Sequence, residues 1–299
     1  MAESKYLVTI GTFDGVHLGH QKLIRWALDR AKELKMKSRV VFFVSPPRFY
    51  FKPDLIVPLL TTGLDRRAFI RGLGVDRVEM LRFGPRWAEM PHTDFFEKYL
   101  IKRWKAGGVL VGKDFAFGKG RLGDLKFLER ETTARDMALG VLPLVRVGGR
   151  KISSSRIRGV LAKGDVERAG LMLGRPFTLQ GTVVKGKGIG RKLGFPTANI
   201  RVPAEVMTPC GVFHVLVSGG SLRGPRSAVC NIGTRPTVGS RAKKPVVEVH
   251  IPGFSGSLYG KKLRVEFLKR LRAEKKFRSL EALKKAIAAD IKSVVSGRC

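Results

Sequence analysis

The sequence predicts an α/β domain built on a parallel sheet, followed by an all-β domain that ends in a helix. Three observations carry this. The chain has 299 residues, which suits two domains of ordinary size. Strand and helix signals alternate as far as Leu173. Beyond Gly174-Arg175-Pro176 come short β-rich runs punctuated by Gly and Pro. The expected domains are 1–175 and 176–299.

In the first part, Tyr6–Ile10 reads as a short strand, and Leu18–Leu34 has helical periodicity. Arg39–Val44, rich in Val and Phe, is the second strand. Asp65–Leu73, Val75–Leu81, Thr93–Trp104 and Val109–Val111 continue the alternation. A helix across Leu122–Leu139, a strand at Val141–Val147 and helices after Ser153 complete it. Strands separated by helices of this length argue for a parallel sheet covered on both faces. In the second part, Thr178–Val184, Val212–Ser218, Ser227–Ile232, Val246–Ile251 and Leu263–Leu268 are the β runs. Their spacing suggests a small antiparallel barrel or sandwich. Ser279–Val295 is an amphipathic helix with Leu280, Leu283, Ile287 and Ile291 on one face.

Hydrophobic residues make up 43%, enough for packed cores, which argues against wholesale disorder. The N-terminal MAESKYLVTIGTFDG has no basic stretch followed by a long apolar run, so no secretory signal is expected. Apolar runs such as Val40–Val44 are strand-sized, so no membrane insertion is expected. Cys210, Cys230 and Cys299 lack metal-ligand spacing and read as thiols of a reducing compartment, making the cytoplasm the expected location. The net charge is +34, from 58 Lys and Arg against 24 Asp and Glu. Residues 176–299 hold 24 basic and 6 acidic side chains, leaving 34 and 18, so the two parts carry +18 and +16. Such a field attracts polyphosphates, and equally RNA, DNA or acidic membrane surfaces. Nucleic-acid binding is open to this surface but not required by it, and the oligomeric state is not legible.

The most informative stretch is Gly11-Thr12-Phe13-Asp14-Gly15-Val16-His17-Leu18-Gly19-His20, between a predicted strand and a predicted helix. Ligands of parallel α/β sheets sit there, outside the carboxyl end of a strand. Gly11 and Gly15 permit a tight backbone, and the new helix turns free N–H groups outwards. His17 and His20, three residues apart, can face the same phosphate and donate hydrogen bonds to charge developing on it. No further His or Cys lies close in sequence to make a zinc site.

This decapeptide resembles the signature of the nucleotidyltransferase domain in prokaryotic bifunctional riboflavin kinase/FAD synthetases (FMN adenylyltransferases). Val111 to Gly120, VGKDFAFGKG, resembles that family's second glycine-aromatic motif. Ile152 to Arg158, ISSSRIR, resembles its serine-threonine-arginine motif, with Ser155 where threonine is usual. The resemblance implies an α/β nucleotidyltransferase-type (Rossmann-like) domain that adenylylates FMN to FAD with ATP and Mg²⁺. It places Gly11, Phe13, Asp14 and Gly15 in the nucleotide loop, His17 and His20 on the ATP phosphates, and Ser153, Ser154 and Arg158 on the departing pyrophosphate. Asp114 and Phe117 would shape the nucleotide and flavin pocket. One departure stands out. The family's Phe-acid-Pro-His-Pro turn reads Phe43-Val44-Ser45-Pro46-Pro47 here, without the acid or the histidine.

The second glycine- and cation-rich stretch runs from Gly181 to Asn199. Loops of this composition let backbone N–H groups approach phosphates. It is not a Walker A motif, since Gly188 stands where Ser or Thr must bind Mg²⁺. Nor is it a dinucleotide fingerprint, because the spacing after Gly186 and Gly188 is wrong and no helix is predicted to follow. Its end, Gly194-Phe195-Pro196-Thr197-Ala198-Asn199, resembles the hallmark of the same family's riboflavin kinase barrel. Asn231 to Thr237, Glu248-Val249-His250, Leu258-Tyr259-Gly260 and Arg272 to Phe277 extend the likeness. The resemblance implies an all-β riboflavin kinase barrel with a C-terminal helix that makes FMN from riboflavin and ATP. Gly186 and Gly188 would flank the ATP phosphates, Thr197 and Asn199 would bind Mg²⁺ and phosphate, and Glu248 would be the base for the ribityl 5′-hydroxyl.

Two other readings stay open at the sequence level. A riboflavin kinase with a degenerate first domain fits the lost Pro-His-Pro turn, and a basic nucleic-acid-binding protein fits the charge. The second needs aromatics interleaved with basic residues, and aromatics are 8% of the chain and sparse around Lys185–Lys192.

Overall fold

The computed structural model describes residues 5–52, 54, 57–186, 188–235 and 244–296. Lys187 of the second glycine-rich stretch, Pro236 and Thr237 of the barrel motif, and Cys299 lie outside the described residues. The chain divides into two compact units, Met1–Ser154 and Ser155–Cys299.

The first unit is built on β1 (Tyr6–Gly11), β2 (Lys37–Phe43), β3 (Arg77–Leu81), β4 (Ala106–Gly112) and β5 (Ala138–Leu142). All pairings are parallel, in the order β3-β2-β1-β4-β5. Strand β1 is buried on both faces, as a parallel sheet requires. Tyr6, Val8 and Ile10 meet Phe95, Phe96, Tyr99 and Trp104 on one side. Leu7 meets Ile24, Ala27 and Ile70 on the other. The strand order reverses between β1 and β4, which makes the ends of these two strands the place for a ligand.

Two sequence expectations change here. The helix expected across Leu122–Leu139 spans only Leu125–Thr133. Asp124 caps its start by accepting from the Phe127 N–H at 2.9 Å, and Asp136, with φ of 51°, turns the chain back for β5. The strand expected at Val141–Val147 divides into the end of β5 and the first arm of a hairpin, β6 (Arg146–Val147) with β7 (Arg150–Lys151). Gly148 and Gly149, at φ of 56° and 72°, form its turn. A short apolar run has no period of its own, and pairing with β4 decides its state. The stretch expected as a helix at Thr93–Trp104 is π-helical over Phe95–Arg103, with the Trp104 N–H reaching the Tyr99 carbonyl at 2.8 Å.

The second unit opens one residue into helix Ser154–Ala162 and continues with helix Val166–Leu173. Six strands follow: β8 (Phe177–Val184), β9 (Ala198–Arg201), β10 (Gly211–Gly219), β11 (Arg226–Arg235), β12 (Lys244–His250) and β13 (Lys262–Arg272). They close an antiparallel barrel in the order β10-β11-β12-β9-β8-β13, with β13 returning to β10. Leu179, Val183, Ile200, Val215, Ile232, Val247, Val249, Val265 and Phe267 are buried. Strand β9 is absent from the sequence reading, because Ala198–Arg201 is short and half polar. A one-turn helix, Ile189–Lys192, stands where none was predicted.

Helix Val166–Leu173 packs on β8 and β13, and the compact units divide after Ser154. The C-terminal helix, Leu280–Val295, is capped by Ser279, whose Oγ accepts from the Ala282 N–H at 3.1 Å. It docks through Ile291 and Val294 onto Val212, Val229 and Leu271, while the Arg272 guanidinium donates to Asp290 at 2.8 Å. Leu280, expected on the buried face, is exposed because docking uses the helix's last turns. No helix among the described residues is long and apolar enough to cross a membrane.

Candidate active sites

The turn after β1 is held in a conformation that the isolated sequence would avoid. Phe13 and Val16 have φ of 47° and 38°, and Gly15 has 80°. A β-branched residue in the left-handed region is strained and persists only where its surroundings hold it. Those surroundings are polar and buried. The Asp14 carboxylate accepts from the Leu60 N–H at 2.9 Å and the Thr61 N–H at 3.2 Å. The Gly15 N–H donates to Thr61 Oγ1 at 3.1 Å, and Ser154 Oγ donates to the Asp14 carbonyl at 2.9 Å.

The turn delivers the two histidines. His17 is the N-cap of helix Leu18–Glu33, and its Nδ1 accepts from the His20 N–H at 3.4 Å. Acceptance at Nδ1 leaves Nε2 as the protonated, donating nitrogen of the neutral ring. The His17 and His20 rings stack with centroids 3.6 Å apart, at 16°. Burial, then His17, then Arg66 hold the His20 imidazole well below the ordinary histidine range. His20 Nδ1 is buried without a hydrogen-bond partner among the described residues. The His17 ring lies over Gly19, where a Cβ would meet its Cε1 and Nδ1 at 3.2 Å.

A cavity of about 350 Å³ opens at this point, lined by Gly11, Phe13, His17, His20, Ser153 and Ser154 with Lys113 and Lys151. The structure thus brings seven of the expected residues to one cavity, Asp114 being the seventh. Asp14 and Gly15 are not on its wall; they brace the turn from behind. Arg158 is buried on helix Ser154–Ala162, in the second compact unit.

A second cavity of about 340 Å³ shares Ile10, Gly11, Thr12, Asp114 and Phe115 with the first. Its other walls include Phe43, Pro47, Phe51, Phe83, Trp87 and Phe117. Sequence reasoning found Gly11, Asp114 and Phe117 here and missed the aromatic walls, which come from separate segments of the chain. Asp114 stands at the junction of the two cavities. Its carboxylate pairs with Lys151 at 2.6 Å, and its carbonyl accepts from Arg121 at 3.2 Å. Pro47, from the segment without the histidine, opens a short helix, Pro47–Phe51, that contributes apolar wall.

In the barrel, Val247 and Val249 are 1% exposed, so Glu248 between them alternates to the outer face. Register places Glu248 opposite Asn199 of β9 and opposite Asn231 of β11. A Cβ on Gly186 would collide with the Asn199 carboxamide, so that glycine lets the loop backbone close over Asn199. A Cβ on Gly190 would meet Thr197 Oγ1 at 3.2 Å. Gly188 turns the loop at φ of 71°. His250 Nδ1 lies 2.8 Å from the Pro196 carbonyl and ties β12 to the residue before Thr197. A cavity of about 340 Å³ is lined by Thr197, Arg191, Pro196, Val249, Phe254, Ser257 and Tyr259. Glu248 and Asn199 are not among its lining residues.

Comparison with known proteins decides what these sites belong to. The FAD synthetase family model matches residues 1–156, and the riboflavin kinase model matches residues 173–296. A bifunctional riboflavin kinase/FMN adenylyltransferase from Pseudomonas fluorescens is 38% identical over 95% of this chain and 90% of its own length. Its counterpart from Escherichia coli K12 is 35% identical over 95% and 90%, and that from Bacillus subtilis 34% over 96% and 91%. The chain belongs to the bifunctional riboflavin kinase/FMN adenylyltransferase family. It is a flavin-biosynthetic transferase with a riboflavin kinase half and an FMN adenylyltransferase half; riboflavin, FMN, FAD and ATP are its substrates and products. A solved structure described as a macrolide-efflux protein from Streptococcus pneumoniae shares the fold with a TM-score of 0.87, at 30% identity over 98% of this chain and 95% of its own.

Proposed function

We propose that FMN is adenylylated where the two cavities of the first unit meet, with the flavin in the aromatic slot and ATP against the histidine turn. The observation that carries this is the shared wall of the cavities: Gly11, Thr12, Asp114 and Phe115 border both. A flat apolar ring fits the slot of Phe43, Phe83, Trp87, Phe115 and Phe117, and a polyphosphate fits the turn beside it. His17 donates through Nε2 to the phosphate in transfer, and His20 supplies a second polar nitrogen from a buried position. Ser153 and Ser154 receive the departing pyrophosphate, with the free N–H groups at the start of helix Leu18–Glu33 facing the same charge. Asp14 and Gly15 act by holding the loop. The wall formed by Pro47 and Phe51 takes the place of the Pro-His-Pro turn without its chemistry.

In the barrel, Glu248 takes the proton of the ribityl 5′-hydroxyl as it attacks the γ-phosphate. Gly186 and Gly188 bring backbone N–H groups to the phosphates. The Asn199 carboxamide oxygen, opposite Glu248, and the Thr197 hydroxyl two residues earlier are hard oxygens of the kind Mg²⁺ prefers, and the glycine loop leaves no room for a Cβ at 186 over Asn199. Thr197 and Asn199 would hold that ion, which neutralises phosphate charge when bound. The functional boundary at 175/176 lies three residues inside the riboflavin kinase match, which starts at 173, while the FAD synthetase match ends at 156. The lack of metal-ligand spacing among the cysteines favours a cytoplasmic setting.

Purified protein incubated with riboflavin, ATP and Mg²⁺, with the flavins separated over time, tests the assignment. FMN followed by FAD is expected. FMN that accumulates without FAD removes the adenylylation proposal and leaves the kinase.

A further inference from the structure

Arg66 belongs to no motif of the sequence, yet it is fully buried beneath the histidine turn. It projects from helix Gly63–Gly72, where the surrounding residues give no hint of a special cation. One nitrogen, Nη1, donates to the carbonyls of Thr12 at 2.6 Å, Phe43 at 3.0 Å and Val44 at 3.3 Å. The other, Nη2, donates to the Thr61 carbonyl at 3.2 Å and to the Asp14 carboxylate at 3.4 Å. The guanidinium also stands over the Phe42 ring, 5.2 Å from its centroid. These partners lie at the carboxyl ends of β1 and β2, on the 60–62 segment, and in the strained turn itself.

We propose that Arg66 is a positioning residue for adenylyl transfer, holding the Thr12–Val16 turn in its left-handed conformation so that His17 and His20 meet the phosphates. This rests on the histidine roles given above. Without the fork, the carbonyls of Thr12, Phe43 and Val44 lose their shared donor, and the strained turn at Phe13 and Val16 loses one of the contacts that hold it. A single guanidinium satisfies four carbonyls and a carboxylate at fixed angles, which a point-charge ammonium cannot do. Its charge also opposes protonation of His20, so the ring stays a neutral partner. Through this one side chain the carbonyl end of β2 is joined directly to Asp14 in the turn.

The experiment is steady-state kinetics on the full chain for R66K, R66M, H20Q and the double variant R66K/H20Q. FMN adenylylation and riboflavin phosphorylation are followed separately, with ATP affinity measured by calorimetry. Both Arg66 variants should lower kcat for FAD formation on the order of 100-fold, the scale of a misplacement of about 1 Å. R66K should recover part of the loss, ATP affinity should stay close to that of the parent, and FMN formation should be unchanged. The losses in the double variant should be less than additive, because Arg66 acts in part through the imidazole that H20Q removes. Normal FAD turnover in R66K and R66M beside a slow H20Q would overturn the role of Arg66 alone. Normal turnover in H20Q would instead remove the histidine reading beneath it. Loss of ATP binding together with turnover, or fully additive losses in the double variant, would make Arg66 a fold residue and overturn the proposal.

Discussion

Glu248 of β12 stands in register with Asn199 of β9, and both side chains alternate to the outer face of the barrel. A carboxylate and a carboxamide 49 positions apart in the chain are thereby cross-strand neighbours, about 5 Å apart at Cβ.

Replacement of the carboxylate is the direct check. E248Q keeps the shape and removes the proton acceptor, so FMN formation should fall by about 10²–10⁴-fold. Supplied with FMN, the same protein should make FAD at the parent rate. Parent-like riboflavin phosphorylation would remove Glu248 from the chemistry.

The glycine loop separates a steric effect from a conformational one. At Gly186 an added Cβ strikes the Asn199 carboxamide, while at Gly188 it meets open space but sits at φ of 71°. G186A should therefore weaken ATP binding and slow FMN formation strongly. G188A should cost about 1–2 kcal/mol of local strain and a smaller loss of rate. Chromatographic flavin assays and ATP titration of the two variants would show the difference, and equal effects would count against the Gly186–Asn199 packing.

Gly19 tests the first site in the same way. Its missing Cβ leaves room for the His17 ring, which must shift by a few tenths of an ångström in G19A. FAD formation should drop about tenfold or more with FMN formation untouched, since catalytic alignment is sensitive to small displacements. A parent-like FAD rate would show that the ring position is not critical.

His20 should also leave a mark on stability. Burial, His17 and Arg66 lower its pKa well below 6.5 in the fold, while the unfolded chain titrates near the ordinary value. Between those two values the unfolded state binds more protons, so stability falls as pH drops below about 6.5 and is fully present above it. Urea unfolding at pH 7.5 and pH 5.5 should show a larger loss for the parent chain than for H20Q. Equal losses would mean that His20 titrates normally in the fold.

Much of this protein is legible along the chain because its signals are local. The strand–turn–helix at Tyr6 to Glu33 follows from apolar periodicity and glycine placement, and the cap at His17 lies within the same ten residues. The barrel strands other than β9 follow from β-branched runs between glycines, and β9 escapes because Ala198–Arg201 pairs on both edges without an apolar run. Residue chemistry and spacing were enough to single out His17 and His20 and the serines before the helix at Ser154, whereas Thr197, Asn199 and Glu248 were named through the resemblance of their motifs to a known family. Tertiary structure alone decided which of them meet. It turned Asp14 away from the cavity into a brace with Leu60 and Thr61, and gathered Phe43, Phe83, Trp87 and Phe115 from distant segments into one slot. It also seated Arg66 under the turn, 54 residues from its Thr12 partner. The physical reason is range: propensity, capping and period act over a few residues, whereas a buried charge finds its carbonyls only after parallel strands have aligned their ends.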